Sequence, residues 1–338
     1  MKKVLIISAV AALALVSCAK VQDVYAPESH EIAVFPLNQP QTKGDNQAYA
    51  ISSTTFPTTL DMYVAAYDAN KGTTGGDYFA KTKFSNSTST IWTGGKYWPF
   101  AESWLNFLAV ANVGSTSDVN MPTAAQAVVT LADNSANQYD LLYANGHGEV
   151  TLSGNTLDYT YAQADMAFKH AQSWLNFKVK ASVAGITITG ITVHGGVYAG
   201  RATVTFDNYE YKYNDGSHAP TLSVAWDNFA AAKDASVHMT ANHAVSNSAY
   251  EAVGDGLIIV PQVDAFTGFT IYYTTADSKA YSYTYTFADA SEKPDFVAGT
   301  QYIYHVFFNM HEIEIDASVA NWDGPTNINT DASPNQIG

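Results

Sequence analysis

The sequence predicts an all-β protein that consists of two tandem β-sandwich domains with few short helices. The chain has 22 tyrosines, and aromatic residues make up 13% of it against 14% for charged residues, a composition that favours half-buried strands. Many segments alternate apolar and polar residues with a period of two, as strands with one buried face do. The length of 338 residues exceeds that of a usual single domain and indicates two.

Residues 1–17 are predicted to be a bacterial lipoprotein signal peptide. Lys2 and Lys3 give a positive start, residues 4–16 form an apolar run, and small residues precede Cys18. The run is too short to span a bilayer comfortably, so we expect cleavage before Cys18. The Cys18 thiol and the new amino group would then carry acyl chains, and two or more chains anchor a protein stably. The alternative is a plain secretory signal with an incidental cysteine.

Cysteine usage and charge exclude several function classes. Cys18 is the only cysteine, so a lipidated chain has no disulfide, no thiolate metal site and no cysteine nucleophile. The formal net charge is -15 and becomes more negative when Lys2 and Lys3 leave with the signal peptide. Such a chain repels nucleic acids, so we expect no nucleic-acid partner.

Residues 18–47 are predicted to contain a tether, one isolated strand and a linker. Ile32 to Leu37 is an almost continuous apolar run, which predicts a short strand buried on both faces. Pro36 places this strand at a sheet edge or at the end of the strand. Residues 38–47 are polar and interrupted by proline and glycine, which is typical of an exposed linker open to proteases.

The first sandwich domain is predicted over residues 48–163. Alternation predicts a strand over 60–67, apolar runs predict strands over 104–113 and 139–144, and Gly94-Gly95 predicts a turn between strands that carry aromatic residues. Residues 123–133 are predicted to form a short helix, because they follow Pro122.

The second sandwich domain is predicted over residues 164–324, and residues 325–338 form a polar tail. In the first strand of this domain, Leu175, Phe177 and Val179 are predicted to point inward. The Trp-Leu-Asn-Phe sequence at 174–177 repeats that at 104–107, a weak sign of two similar domains. Further strands are predicted at 186–193, 202–206, 257–260, 269–275, 281–287, 302–310 and 313–319.

The sequence nominates no catalytic, metal or cofactor site. His238 and His243 have no spacing that aligns them for a metal, and His311 lacks the second histidine of a zinc-protease helix. No nucleophile elbow, P-loop or dinucleotide fingerprint is present. A carboxylate pair brought together from distant strands stays open as a glycosidase hypothesis. Aromatic stripes at period two favour core packing over a sugar-stacking platform. We expect no enzyme, no cofactor and no metal.

Several short motifs follow one another along the chain. They are the lipobox at 15–18, the linker Thr42-Lys43-Gly44, Tyr97-Trp98-Pro99 before Leu105-Asn106-Phe107, the segment 139–144, Phe168-Lys169-His170-Ala171 before 175–179, Val260-Pro261-Gln262, and 299–304 before a final strand ending at Trp322. Their order resembles the fimbrillin family, the subunits of type V pili of Gram-negative gut and oral bacteria. The resemblance runs from Cys18 to Trp322.

This resemblance implies two transthyretin-like β-sandwich domains and an assembly mechanism by strand exchange. The subunit would pass through the periplasm as a lipoprotein and reach the outer membrane and cell surface. A protease would cut between Lys43 and Gly44, and the first strand would leave its groove. The family's cut often follows arginine, whereas the only arginine here is Arg201, so the protease must accept lysine. The implied displaced strand contains Ile32, Val34, Phe35 and Leu37.

The resemblance also implies the partners: other fimbrial subunits, the processing protease, and the outer membrane through the lipid before cleavage. The candidate donor strand contains Ile313, Ile315, Ala317 and Val319. A subunit that receives and donates a strand is a stalk subunit, one that cannot donate caps the tip, and an uncleaved one stays as an anchor. We expect a stalk subunit serving adhesion, with a tip subunit as second choice. The alternatives are a surface glycan-binding lipoprotein that stays anchored and a secreted β-sandwich hydrolase.

Overall fold

A computed structural model describes residues 30–37, 56, 59–69, 76–88, 91–114, 117–160, 162–211, 220–262, 264–309 and 312–322. These residues form β-strands and loops, and Ala290–Glu292 forms a short 3-10 turn. Within them, no helix has the length and apolar character needed to cross a membrane. The all-β prediction is confirmed.

The strands are, in chain order, β1 (Val34–Leu37), β2 (Met62–Asp68), β3 (Gly76–Thr88), β4 (Ile91–Thr93), β5 (Ser103–Ala111), β6 (Asp118–Thr123), β7 (Gln126–Leu131), β8 (Leu142–Ser153), β9 (Thr156–Asp158), β10 (Ala164–Ala167), β11 (Lys169–His170), β12 (Ser173–Ala181), β13 (Thr187–Gly196), β14 (Gly200–Asp207), β15 (Thr221–Asp227), β16 (Lys233–Ser236), β17 (His243–Ala244), β18 (Glu251–Ala252), β19 (Leu257–Ile259), β20 (Gly268–Thr274), β21 (Ala280–Thr286), β22 (Thr300–Phe308) and β23 (Ile313–Asn321).

The first unit is built on a curled sheet with the strand order β10-β1-β4-β3-β2-β5-β8-β11, to which β9 adds beside β8. The curl brings β10 against the inner side of β8. Gly146 and Gly148 of β8 lie directly under the backbone of β10, where a Cβ atom would collide with the carbonyl oxygens of Asp165 and Gln163. We call the apolar interior of this curl the first core. It contains residues from β1, β2, β3, β4, β5, β8 and β10.

A second sheet, β15-β14-β7-β6, packs on the other face of β2 and β5 and forms a core of its own. The hairpin β14–β15 lies beyond residue 164, yet β14 pairs with β7 over six residue positions from Gly200↔Leu131 to Thr205↔Gln126. Strands β10 and β11 also belong to the curled sheet. The sheets therefore divide the chain differently from the predicted boundary at residue 164, which remains a prediction.

The second unit is a sandwich of the sheets β18-β12-β22-β23, with β19 beside β12, and β16-β13-β20-β21, with β17 beside β13. Its core contains residues from both inner faces. Leu175, Phe177 and Val179 of β12 are at most 1% exposed, as their alternation predicts. The prediction of β-sandwich units is confirmed.

The predicted helix over 123–133 is wrong, because this stretch belongs to the hairpin β6–β7. Val119, Met121 and Val129 are at most 4% exposed and pack into the core between the two sheets of the first unit. Burial of alternating side chains outweighs the weak local preference for a helix. The long strand β3 was not predicted, because residues 76–88 are mostly exposed and show no clean alternation.

Candidate functional site

The first strand, β1, is seated between two neighbours in the curled sheet. It pairs in parallel with β10 over four positions, from Val34↔Ala164 to Leu37↔Ala167. It meets β4 in antiparallel orientation at one pair of residues, Val34 and Trp92. Because it has a neighbour on each side, β1 is an inner member of the sheet and not an addition to its edge.

Hydrogen bonds extend this seat to the residues that precede β1. Ile32 N donates to the Lys96 carbonyl at 2.7 Å, and Trp98 N donates to the His30 carbonyl at 2.9 Å. The His30 ring stacks on Tyr159 with a centroid distance of 3.6 Å, and partial burial raises the pKa of the Tyr159 phenol. The seated segment therefore begins before β1 itself.

The side chains of this segment divide into two groups. Ile32 and Val34 are completely buried in the first core, whereas Phe35 and Pro36 are half-buried. The predicted strand is thus buried on one face and not on both. The side chain of Leu37 lies outside the described part of the structure.

Large aromatic side chains share the first core with Ile32 and Val34. Phe56 packs edge-on against Trp92 at 5.2 Å and lies 5.0 Å from Phe168. Loss of β1 would leave two vacant positions in this aromatic core and free backbone edges on β10 and β4. An opening of this kind accepts an extended strand with apolar residues at alternate positions.

Other predicted site residues lie outside the described residues. These are the lipidation residue Cys18 and the processing residues Lys43 and Gly44. They fall before the seated segment and between β1 and Phe56, respectively. The assignment of lipidation and cleavage to these residues remains a prediction.

The candidate donor strand, β23, is the last strand of its sheet and pairs antiparallel with β22 over nine positions. Ile313 and Ile315 are half-buried against the core of the second unit. Ala317 is exposed, and Val319 is 61% exposed. The four predicted residues therefore do not share one buried face.

A gap between the two sheets explains this exposure. A cavity of about 320 Å³ lies between residues 315–319 of β23 and the end of β21, with Tyr285 and Phe287 among its walls. Val319 also lines this cavity, and β21 is the last strand of its own sheet. On β22, burial lowers the pKa of His305, and the Lys178 cation adds to this effect.

A buried contact between a histidine and an aspartate at the junction of the two units was not predicted. His170 of β11 and Asp140, which lies shortly before β8, are both fully buried, and His170 Nδ1 lies 2.8 Å from Asp140 Oδ2. The sequence motifs at 139–144 and 168–171 contain one partner each. Nothing in the sequence links them, because the residues are 30 positions apart and only the pairing of β11 with β8 brings them together.

The histidines of the described residues do not assemble a metal site. His194 Nδ1 lies 2.8 Å from Asp234, and His238 Nδ1 lies 2.9 Å from Asp255. Within the ranges that the structure covers, no three His, Cys, Asp or Glu side chains are placed to hold a metal ion. The geometry of the site is therefore that of strand seating and strand pairing.

The fold is similar to that of solved structures of proteins from Bacteroides. A fimbrial protein from Bacteroides vulgatus is 14% identical, with a TM-score of 0.50 over 87% of this chain and 99% of that chain. A protein from Bacteroides ovatus assigned to cell adhesion is 12% identical, with a TM-score of 0.50 over 88% and 99% of the two chains. At these identities the likeness shows the fold alone. Comparison with curated proteins found no significant match.

A family model described as fimbrillin-like matches residues 36–322, and the chain therefore belongs to the fimbrillin-like family. The resemblance inferred from the order of motifs is confirmed. Membership supports a fimbrial or cell-adhesion subunit of the cell surface, and such a role is structural. The partners that this role supports are other fimbrial subunits.

Proposed function

We propose that the protein is a stalk subunit of a fimbria, exported as a lipoprotein through Cys18, cut after Lys43 and assembled by donor-strand exchange. A tip subunit is the second choice. The observation that carries the proposal is the seat of β1. Ile32 and Val34 are completely buried in the first core, β1 lies between β10 and β4, and the polar linker that contains Lys43 follows directly.

The seat provides a driving force for exchange once the linker is cut. Burial of the Ile32 and Val34 side chains contributes about 3 to 6 kcal/mol in total. Each backbone hydrogen bond adds roughly 0.5 to 1.5 kcal/mol. Because a strand from another subunit regains both contributions, the vacated groove binds it tightly. The intact linker keeps β1 at a high effective concentration, so an uncut subunit stays monomeric.

Strand β23 is the donor that the structure supports best. Ile313 and Ile315 repeat the alternate spacing of Ile32 and Val34, so one face of β23 matches the two vacated positions. An edge strand whose side chains are mostly outside the core leaves its own subunit at a lower cost than an inner strand does. A subunit that both receives a strand in the vacated groove and donates β23 is a stalk subunit, which is why we assign this role.

Two soluble forms test the proposal, one beginning at Ala19 and one at Gly44. We expect only the shorter form to grow into SDS-resistant ladders over days, followed by light scattering and gel electrophoresis. A cysteine pair at Ile303 and Ser318, which lie opposite each other on β22 and β23, should block growth until a reductant is added. Neither soluble form has a native cysteine, so the added pair is the only disulfide.

Two other outcomes are informative. If both forms stay monomeric and well folded, strand exchange at this site is refuted and an anchored glycan-binding lipoprotein becomes the better hypothesis. If the shorter form accepts a synthetic β23 peptide but does not grow by itself, the subunit receives without donating. The tip assignment then replaces the stalk assignment.

A further inference from the structure

Trp322 is the one buried residue in the segment 312–322, which the structure describes without a gap. It is 4% exposed, whereas every residue of β23 is half-buried or exposed. The strand is therefore held by its backbone ladder with β22, by the partial packing of Ile313 and Ile315 near its start, and by the buried side chain that follows its last residue. A single side chain at one end of a strand can control whether the strand stays in place.

The Trp322 side chain lies in a socket made by residues of β11 and β12. Its ring stacks in parallel on His170, with 3.6 Å between the ring centroids and 9° between the planes. Trp174 closes a second side at 5.5 Å. The Trp322 backbone N donates to the Gly299 carbonyl at 2.8 Å. The ring is thus fixed on two faces and at the main chain.

The floor of the socket belongs to the first unit and is completely buried. The fully buried Asp140 holds His170 through its ring nitrogen Nδ1. Gln172 links the two units, because its side-chain oxygen accepts from Leu141 N at 2.8 Å and its carbonyl accepts from Gly299 N at 2.9 Å. The end of the last strand is therefore pinned to the junction between the two units.

We propose that Trp322 is the catch that retains β23 on its own subunit until exchange. This rests on the proposed role of β23 as the donor strand. In an exchange between subunits, the backbone hydrogen bonds lost with β22 are made again with the acceptor groove. The stacking of Trp322 in its socket is lost when β23 leaves. The catch therefore sets how often the donor strand opens.

Hydrogen exchange in the uncut chain from Ala19 tests the catch without any assembly. In Trp322→Ala we expect the β23 amides that donate to β22 to exchange at least about 10-fold faster. Truncation of a buried tryptophan removes much of the stabilisation of β23 in its closed position. The strand can then open locally, without unfolding of the rest of the unit. Amides of the inner β12–β22 ladder should stay protected, which shows that the variant is folded. The variant Trp322→Phe, which keeps a stacking ring, should restore most of the protection.

Val319→Ala is the matched control, because it truncates an exposed side chain of the same strand. We expect its exchange to equal that of the unmodified chain. Equal protection of β23 in Trp322→Ala and Val319→Ala would overturn the catch. If Trp322→Ala loses protection in every strand, Trp322→Leu, which keeps apolar bulk without a ring, replaces it and is judged by the same comparison.

Assembly of the form from Gly44 separates the catch from the donor role. With the catch released, Trp322→Ala should assemble faster than the unmodified form by a factor comparable to the gain in β23 opening. Faster exchange with unchanged assembly supports the catch and refutes β23 as the donor. Unchanged exchange refutes the catch whatever the assembly rate is.

Discussion

Ile32→Ala in the chain from Ala19 tests whether the segment that contains β1 is part of the cooperative core of the first unit. The Ile32 side chain is 0% exposed, so the substitution removes three buried carbon groups, at about 0.8 kcal/mol each. The cavity that remains raises the loss of unfolding free energy to about 2 to 5 kcal/mol, according to how far the surrounding aromatic side chains can relax. Phe56, Trp92 and Trp98 belong to the same core and are too large to collapse fully into the space.

Urea unfolding followed by tryptophan fluorescence measures this loss, because Trp92 and Trp98 report on the first core directly. Leu152→Ala is the matched control: its side chain is 53% exposed on β8, so we expect a change within about 0.5 kcal/mol. A loss below about 1 kcal/mol for Ile32→Ala would show that the segment does not contribute to the core, contrary to its complete burial. Displacement of β1 would then leave no vacancy in the first core for another strand to fill.

Two further predictions concern β8, which lies against the backbone of β10. Gly148→Ala should lower the urea midpoint strongly, because the added Cβ would collide with the carbonyl oxygen of Gln163, just before β10. Gly76→Ala is the control: no atom lies within 4 Å of its added carbon, so the midpoint should stay nearly unchanged. Burial lowers the pKa of His147 below its usual 6.5, so the unfolded chain binds a proton that the folded chain does not as the pH falls below that value. The free energy of unfolding should therefore decrease as the pH is lowered through that range. Urea midpoints measured at several pH values should decrease less in His147→Gln than in the unmodified chain. An equal decrease in the two proteins would show that His147 is not the cause.

Alternation along the sequence predicted the strands that have one face on a core. Leu175, Phe177 and Val179 point inward as predicted because β12 lies between β18–β19 and β22, where each inward position meets the opposing sheet. Apolar residues at every second position are expected wherever one face of a strand packs on a core. The apolar run at 32–37 likewise predicted the region of β1, although the run indicated burial of both faces and the structure buries one.

Local sequence patterns do not predict which distant segments pair with each other. Nothing local marks the hairpin β14–β15 as a partner of β7, and nothing marks Asp140 and His170 as a buried pair, since both contacts depend on the tertiary arrangement of the sheets. Burial along β23 depends on the opposing sheet in the same way. Val319 continues the alternation of Ile313 and Ile315 but lines a cavity between the sheets and is 61% exposed, so its position in the pattern does not bury it.

The two strands assigned to exchange are retained by different means, and this difference suits their proposed roles. The segment that contains β1 has two completely buried side chains and pairs on both sides, so its removal leaves a vacancy that only another apolar strand refills. Strand β23 has a long ladder on one side and no fully buried side chain of its own, so its main interactions are of the kind that any acceptor edge replaces. A stable acceptor requires side-chain pockets, whereas a transferable donor requires backbone pairing. A fixed point such as Trp322 then becomes necessary, because without it a strand of this kind would open too readily before its acceptor is available.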